Sequence, residues 1–432
     1  MKMFLLELNE FNEELLKEAG ESLGLKNIQK LFTFHKSQTF TKDTYESDYL
    51  EPWVQWVSVH TGEPSTKHKI KHLGDAPDES ILQLWETLSE SGITTGIWGA
   101  MNARRRIADK CLFFLPDPWT AEEMSHPQEL NALLAPLRQI SKNYTKNSKS
   151  RLLKNLSDFL KLLKSHDLVR PFFQEVVNLV KDLIRYKAKP FVFVSFLDLL
   201  SAKLFLKYKK TYDPQFSLLF LNSIAHLQHH QWKKKEISPK DPLAHGFKNI
   251  DRILGELFQE MKSNETLIVT NALSQTNTAE DPPWILYRQI DHQKFLKAVG
   301  ISDALVEAHM THDAHLFFQT KASARKAERI LQKIMVEGKP LFLIETYEEA
   351  PKKLFYKIIF TDEVKKGTLF YLKNKKIPFY DYFTSIVKRT GKHIQTGTLF
   401  CNQPLFPPQL ANHEVGEIIF RQLLRTAKEM SR

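Results

Sequence analysis

The stretch MFLLELNEFNEELLKEAG, residues 3–20, sets the fold class. Its first six residues form a compact apolar run, and the polar cluster Asn9, Glu10 and Asn12 follows at once. That is the pattern of a strand buried on both faces of a parallel sheet. The leucines after it recur at helical spacing, so a strand, a polar loop and a helix open the chain. SILQLWETLSESG (80–92) then reads as an amphipathic helix stopped at Gly92, and ITTGIWGA (93–100) as the next strand. Strands separated by helices predict βαβ crossovers, hence an α/β protein with a doubly wound, mostly parallel sheet.

Further along, PFVFVSFLDLL (190–200) has the look of another buried strand, and QFSLLFLNSIAHLQHHQW (215–232) leads into a helix bearing His226, His229 and His230. The helix that begins at LAHGF (243–247) precedes the strand LIVTNA (267–272), whose carboxyl end opens on Asn271. Between residues 138 and 189 there are 13 Lys or Arg against 4 Asp or Glu. Leu152, Leu153, Leu156, Phe159, Leu160 and Leu163 recur there at three-and-four spacing, which predicts a helical insertion with a basic outer face. HLFFQT, ASARKAERILQKIM, PLFLIETYE and KLFYKIIF between residues 315 and 360 form a small α+β pattern. TGKHIQTGTLFCNQPLFPP (390–408) is expected as a Gly- and Pro-punctuated loop, and residues 413–430 as a closing helix. The expected organisation is a core first part (1–120), a basic helical insertion (121–189), a core second part (190–300), a small α+β subdomain (301–380) and a core closing segment (381–432).

The charge balance of 61 basic against 50 acidic residues, a formal +11, favours anionic partners. Cys111 and Cys401 are the only cysteines, which excludes a disulfide framework and a cysteine zinc site and fits a reducing compartment. No window approaches the length of a membrane span, so a cytoplasmic protein is expected. Neither an RNP, a zinc-finger nor a helix-turn-helix pattern is present, so nucleic acid is not the expected partner. The sequence is silent on oligomeric state.

Ligand sites of open α/β sheets lie outside the carboxyl ends of the strands. Four such ends carry unusual polar content: Glu7, Asn9 and Glu10; the segment EPWVQWVSVHTGEP (51–64); Asn271, Ser274 and Gln275; and His393 of GKHIQTG (391–397). Imidazoles three or four apart on a helix share a face, so His226 with His229 or His230 has metal-ligand spacing, although exposed histidine clusters are commonly inert.

The order of these motifs, an apolar first strand with a polar end, then PWVQWVSVHTGEP, QHHQW, DRILGEL before a strand, and GKHIQTG, resembles the alkaline phosphatase superfamily. Its type I phosphodiesterase and nucleotide pyrophosphatase branch is the most similar. The resemblance covers the chain outside roughly 120–190 and 300–380, and its motifs are individually weak. It implies an alkaline-phosphatase-like core and hydrolysis or transfer of a phosphate or sulfate ester. In that superfamily two metal ions, commonly zinc, assist a hydroxyl or modified cysteine at the start of a helix.

Carried over, the first-strand aspartate position is Asn9, the nucleophile position is Pro52, and the Asp-His pair after a later strand falls on Asn271 and Ala272. One metal site is thereby lost and a two-metal centre is not expected. At the other, Ala225 stands where an aspartate is usual, but His229 and His393 match, and His226 is placed to replace the carboxylate. A single divalent ion, zinc by donor type, held by His226, His229 and His393, is therefore the expected cofactor. The resemblance assigns Glu51 as base or ligand, with Gln55 and His60 on the same helix as further catalytic candidates. Trp53 and Trp56 line a substrate wall or pack under the helix. Asn9, Asn271, Ser274 and Gln275 would bind a small anionic ester. Two readings stay open: a divergent hydrolase or transferase, or a non-catalytic ligand-binding member of the same fold.

Overall fold

The computed structural model describes residues 2–45, 47–78, 80–142, 149–187, 189–233, 236–282, 284–309, 312–372 and 375–430. The chain divides into two compact units. Met1–Pro136, Ser150–Ala279 and Thr390–Arg432 make the larger; Leu137–Lys149 and Glu280–Arg389 make the smaller.

The larger unit is built on strands β1 (Lys2–Leu8), β2 (His35–Phe40), β3 (Thr95–Trp98), β4 (Cys111–Leu115), β5 (Phe216–Leu221) and β6 (Glu265–Thr270). A two-stranded ribbon of β7 (Ser274–Asn277) and β8 (Gly391–Ile394) follows, then β9 (Thr396–Cys401) and β10 (Gln409–Ala411). The main sheet has the order β10-β2-β9-β6-β1-β5-β3-β4. β9 runs antiparallel to both neighbours, and every other pairing is parallel.

Its helices include α1 (Glu13–Ser22), α2 (Pro52–Thr61), α3 (Leu84–Glu90), α4 (Lys149–Ser165), α5 (Val169–Arg185), α6 (Pro190–Tyr212), α7 (Ser223–Gln231), α8 (Pro242–Glu260) and α9 (Asn412–Met430). Successive β1 side chains alternate between two helical layers. Met3 and Leu5 join Trp56 of α2 and Ile419 of α9 in one core cluster, while Phe4 stacks on Phe205 of α6 at 5.2 Å. Helices thus cover both faces, which is the doubly wound arrangement. The smaller unit is α+β: the antiparallel strands Phe342–Thr346, Lys353–Ile358, Asp313–Phe317 and Leu305–Ala308, with the helix Lys321–Leu331 burying Ala324, Ala327 and Leu331 in the same core. Among the described residues no helix is long and apolar enough to cross a membrane.

Two local expectations are corrected. PFVFVSFLDLL is the first half of α6, not a strand; Pro190 occupies its first turn and no glycine interrupts its 23 residues. A short unbroken apolar run has no period that separates strand from helix. The strand beside β1 is FSLLFL instead, with Glu7 opposite Phe220 and Leu8 opposite Leu221. Likewise GKHI and TGTLFC are strands rather than loop. Their glycines permit close approach: a Cβ on Gly391 would meet Gln275 Oε1 at 2.1 Å, and one on Gly397 would meet Asn271 Oδ1 at 2.6 Å.

Candidate metal centre

Parallel register brings the carboxyl ends of β1, β5 and β6 to one rim, since Glu7 lies beside both Phe220 and Thr270. There the chain leaves β1 through Asn9 and Glu10, and Glu10 takes a left-handed φ of 55°. That conformation is uncommon for a residue with a side chain. Asn12 then caps α1 by accepting from Leu15 N–H.

Glu10 meets two imidazoles at this rim. Its Oε2 lies 2.9 Å from His229 Nε2 and 3.0 Å from His393 Nε2, and the two Nε2 atoms are 3.1 Å apart. His229 comes from α7, and His393 is brought in by the ribbon, opposite Gln275. Each ring is oriented through its other nitrogen: His229 Nδ1 donates to the Gly391 carbonyl at 3.0 Å and His393 Nδ1 to the Leu50 carbonyl at 3.1 Å. With Nδ1 carrying the proton, both Nε2 lone pairs and a carboxylate oxygen converge on one point. Three acceptors at such separations repel unless a cation or proton lies among them. The triangle is close to the edge of about 3.3 Å expected for tetrahedral ligands about 2.0 Å from zinc. Among the described residues this is the group of three that fits a metal ion.

Burial pushes the Glu10 carboxyl up, but His393 and then His229 outweigh it and hold the group well below the usual carboxylate range. Glu10 is further fixed by Asn9 Nδ2, which donates to Oε1 at 3.0 Å, and by Gln275 Nε2, which donates to Oε2 at 2.5 Å. Glu51, at the cap of α2, stands on the outer side of His393 with Oε2 3.4 Å from Nδ1. Tyr45 stacks on the His393 ring and its hydroxyl accepts from the His393 N–H at 2.7 Å.

The expected donors are thus gathered in part. His229 and His393 meet, and the side chain that joins them is Glu10, while His226 lies outside this group. The His226 ring packs at 4.5 Å against His230, because the face it shares on α7 turns them toward each other. Glu10 stood in the polar cluster of the sequence, one residue past the position that the resemblance marked.

The polar groups expected to bind an anion are engaged internally. Asn9 accepts from Trp56 Nε1 and donates to Asn222; Asn271 donates to the Phe11 carbonyl and accepts from Thr398 N–H; Ser274 donates to the same Phe11 carbonyl. On α2, Trp56 is fully buried, Trp53 Nε1 donates to the Lys71 carbonyl, and Gln55 is held by Asp43, Tyr49 and Asn412. His60 is sealed in the interior against Glu7, Nε2 to Oε1 2.6 Å, with no side-chain surface left for a substrate. Gln55 and His60 are thus held by protein partners, and Trp56 takes the packed position under the helix that the sequence left open beside the substrate wall.

No family model matches the sequence, and no curated protein does. Solved structures do align with it. Phosphonoacetate hydrolase from Sinorhizobium meliloti 1021, bound to phosphonoformate, covers 98% of this chain and 95% of its own at 11% identity, with a TM-score of 0.45. Human ectonucleotide pyrophosphatase/phosphodiesterase 5 aligns over the same shares at 12% identity and TM-score 0.43, and alkaline phosphatase PafA at 11% and 0.46. These proteins are members of the alkaline phosphatase superfamily. At such identities the chemistry of this chain rests on its own side chains.

Proposed function

We propose that this chain is a hydrolase or transferase of a phosphate ester, or of the isosteric sulfate ester, working with one divalent metal held by Glu10, His229 and His393. The observation that carries the proposal is the convergence of three lone-pair donors whose outer atoms are tied to backbone carbonyls and amides. Two nitrogens and one oxygen suit zinc, and three protein donors leave a position open, as catalytic sites do. Such an ion would supply polarisation of an ester oxygen and neutralise charge developing on it.

The protein groups divide the remaining work. Gln275 and Asn9 hold the Glu10 carboxylate in place, and the Gly391 and Leu50 carbonyls hold the imidazoles. Glu51, the more exposed carboxylate of the two, would be the base that accepts a proton at Oε2. Pro52, at the first position of α2, has no hydroxyl to attack with, so water would attack phosphorus directly, giving its proton to Glu51, while the ester P–O bond breaks and the departing alkoxide takes a proton from solvent. No covalent ester on the chain is expected.

Elemental analysis of purified protein is the test. One zinc per chain is expected, lost in Glu10→Gln and His393→Ala, with phosphodiesterase turnover falling by at least about a hundredfold, the size expected when a metal-polarised route is removed. Full turnover by a metal-free preparation would overturn the proposal. A second reading, a ligand-binding protein without turnover, draws on Pro52 and on the internal bonding of Asn9 and Asn271. It predicts metal retention with no cleavage of phosphate or sulfate esters.

A further inference from the structure

α5 presents a face that a plain solvated helix lacks. Phe173, Val177, Val180 and Ile184 follow one another at steps of four, three and four residues, which places them on one stripe. All four are exposed, Phe173 by 57% and Ile184 by 76%. On α6, whose Phe191 and Phe196 meet Tyr186 and Phe172, the side chains of Phe193 and Leu197 are exposed as well, one turn apart. Soluble surfaces scatter such residues singly; a run of them marks an interaction surface.

The charges are sorted by side. At about 100° per residue, Arg170, Lys181 and Arg185 fall in a row along one border of the stripe, and all three are exposed. The helix has two acids, and both turn the other way. Glu175 is buried in ion pairs with Arg252 and Lys203, and Asp182 lies 3.9 Å from His245. What the exposed stripe of α5 and its border show is therefore apolar and cationic; the partly exposed Asp182 lies on the side toward His245.

We propose that α5, with the first turns of α6, docks on an anionic lipid surface. The apolar stripe enters the boundary between headgroups and acyl chains, and Arg170, Lys181 and Arg185 meet lipid phosphates. The helix lies in the plane of the interface rather than across it. A second copy of the chain fits this face less well, since it would add another cationic row and no acidic one, whereas a phosphate layer neutralises the row directly.

Flotation of the full chain with vesicles tests the proposal. Binding is expected to vesicles of phosphatidylcholine mixed with phosphatidylglycerol, not to phosphatidylcholine alone, and to weaken as salt is raised. The pair Phe173→Asp and Ile184→Asp should abolish it. Lys181→Glu with Arg185→Glu should lower it by at least about tenfold, given roughly fivefold per basic side chain near an anionic surface. All four positions are exposed, so an unchanged melting curve accompanies each variant. Absence of binding to the mixed vesicles, binding that both pairs leave unchanged, or a dimer dissolved by Ile184→Asp without any lipid binding would each overturn it.

Discussion

Glu10 owes its role to a backbone angle. In an extended continuation of β1, residues 9 and 10 would point to opposite sides. The left-handed turn at Glu10 lets Asn9 reach Glu10, Asn222 and Trp56 while Glu10 reaches both imidazoles. That angle is not written in the residue type, so the strand-end cluster was legible in the sequence but not which of its side chains meets the imidazoles. His229 and His393 were legible because their spacing to Trp232 and Gly391 is local. Gln275→Ala, which leaves Glu10, His229 and His393 in place and removes the Nε2 bonds to Glu10 and to the Ala225 carbonyl, should weaken zinc affinity by about 10–100-fold in a chelator competition. A different single-residue test concerns the interior. Burial pushes the Glu7 carboxyl up and His60 pulls it down, so His60→Ala leaves an acid with no counter-charge and should cost about 3–5 kcal/mol near neutral pH in chemical denaturation. A raised acid favours folding below its unfolded value of 4.5 and loses that contribution as pH rises through the folded one. The deficit of His60→Ala should therefore be smaller at mildly acidic pH than at alkaline pH.

Elements with a clear period or clear bounds were found from the sequence, and α6, which has neither, was not. β1, α1, α8 and α9 each combine a bounded apolar pattern with a distinct start or stop. α6 has neither period nor internal punctuation, and its apolar first half is indistinguishable from a strand until its length is known. It also carries an ionisable group inward: the Asp198 carboxylate accepts from the Asn222 and Ser223 N–H groups at the entry to α7. Burial pushes this carboxyl from 3.8 up to about 6, with those N–H groups pulling it back. Its contribution to folding is fully present below pH 3.8 and is lost as pH rises through about 6. Asp198→Asn does not titrate, so the stability difference between variant and parent should shift by about 3 kcal/mol in the variant's favour between acidic and neutral pH. Denaturation midpoints at the two pH values measure it.

The smaller unit enters the chain within a ribbon: Asn277 pairs with Gly391, and Thr278 N–H donates to the Thr390 carbonyl at 2.9 Å. The two ends of the segment 280–389 therefore leave from adjacent positions. Replacing it with Asn-Gly, the preferred two-residue hairpin turn, should leave the larger unit folded with one zinc bound, a result read by circular dichroism and elemental analysis; loss of the metal would show that the ribbon needs the segment to form. Sequence alone located this α+β pattern but not its attachment, since adjacency of residues 277 and 391 is a property of folded strands. The same ribbon orders events during synthesis. Glu10 leaves the ribosome early, His229 midway and His393 much later, so a nascent chain carries the first two of the proposed ligands for much of its translation without the third. On the proposed reading, zinc capture falls to chains that already include residue 393, and products terminated before it compete poorly for the ion.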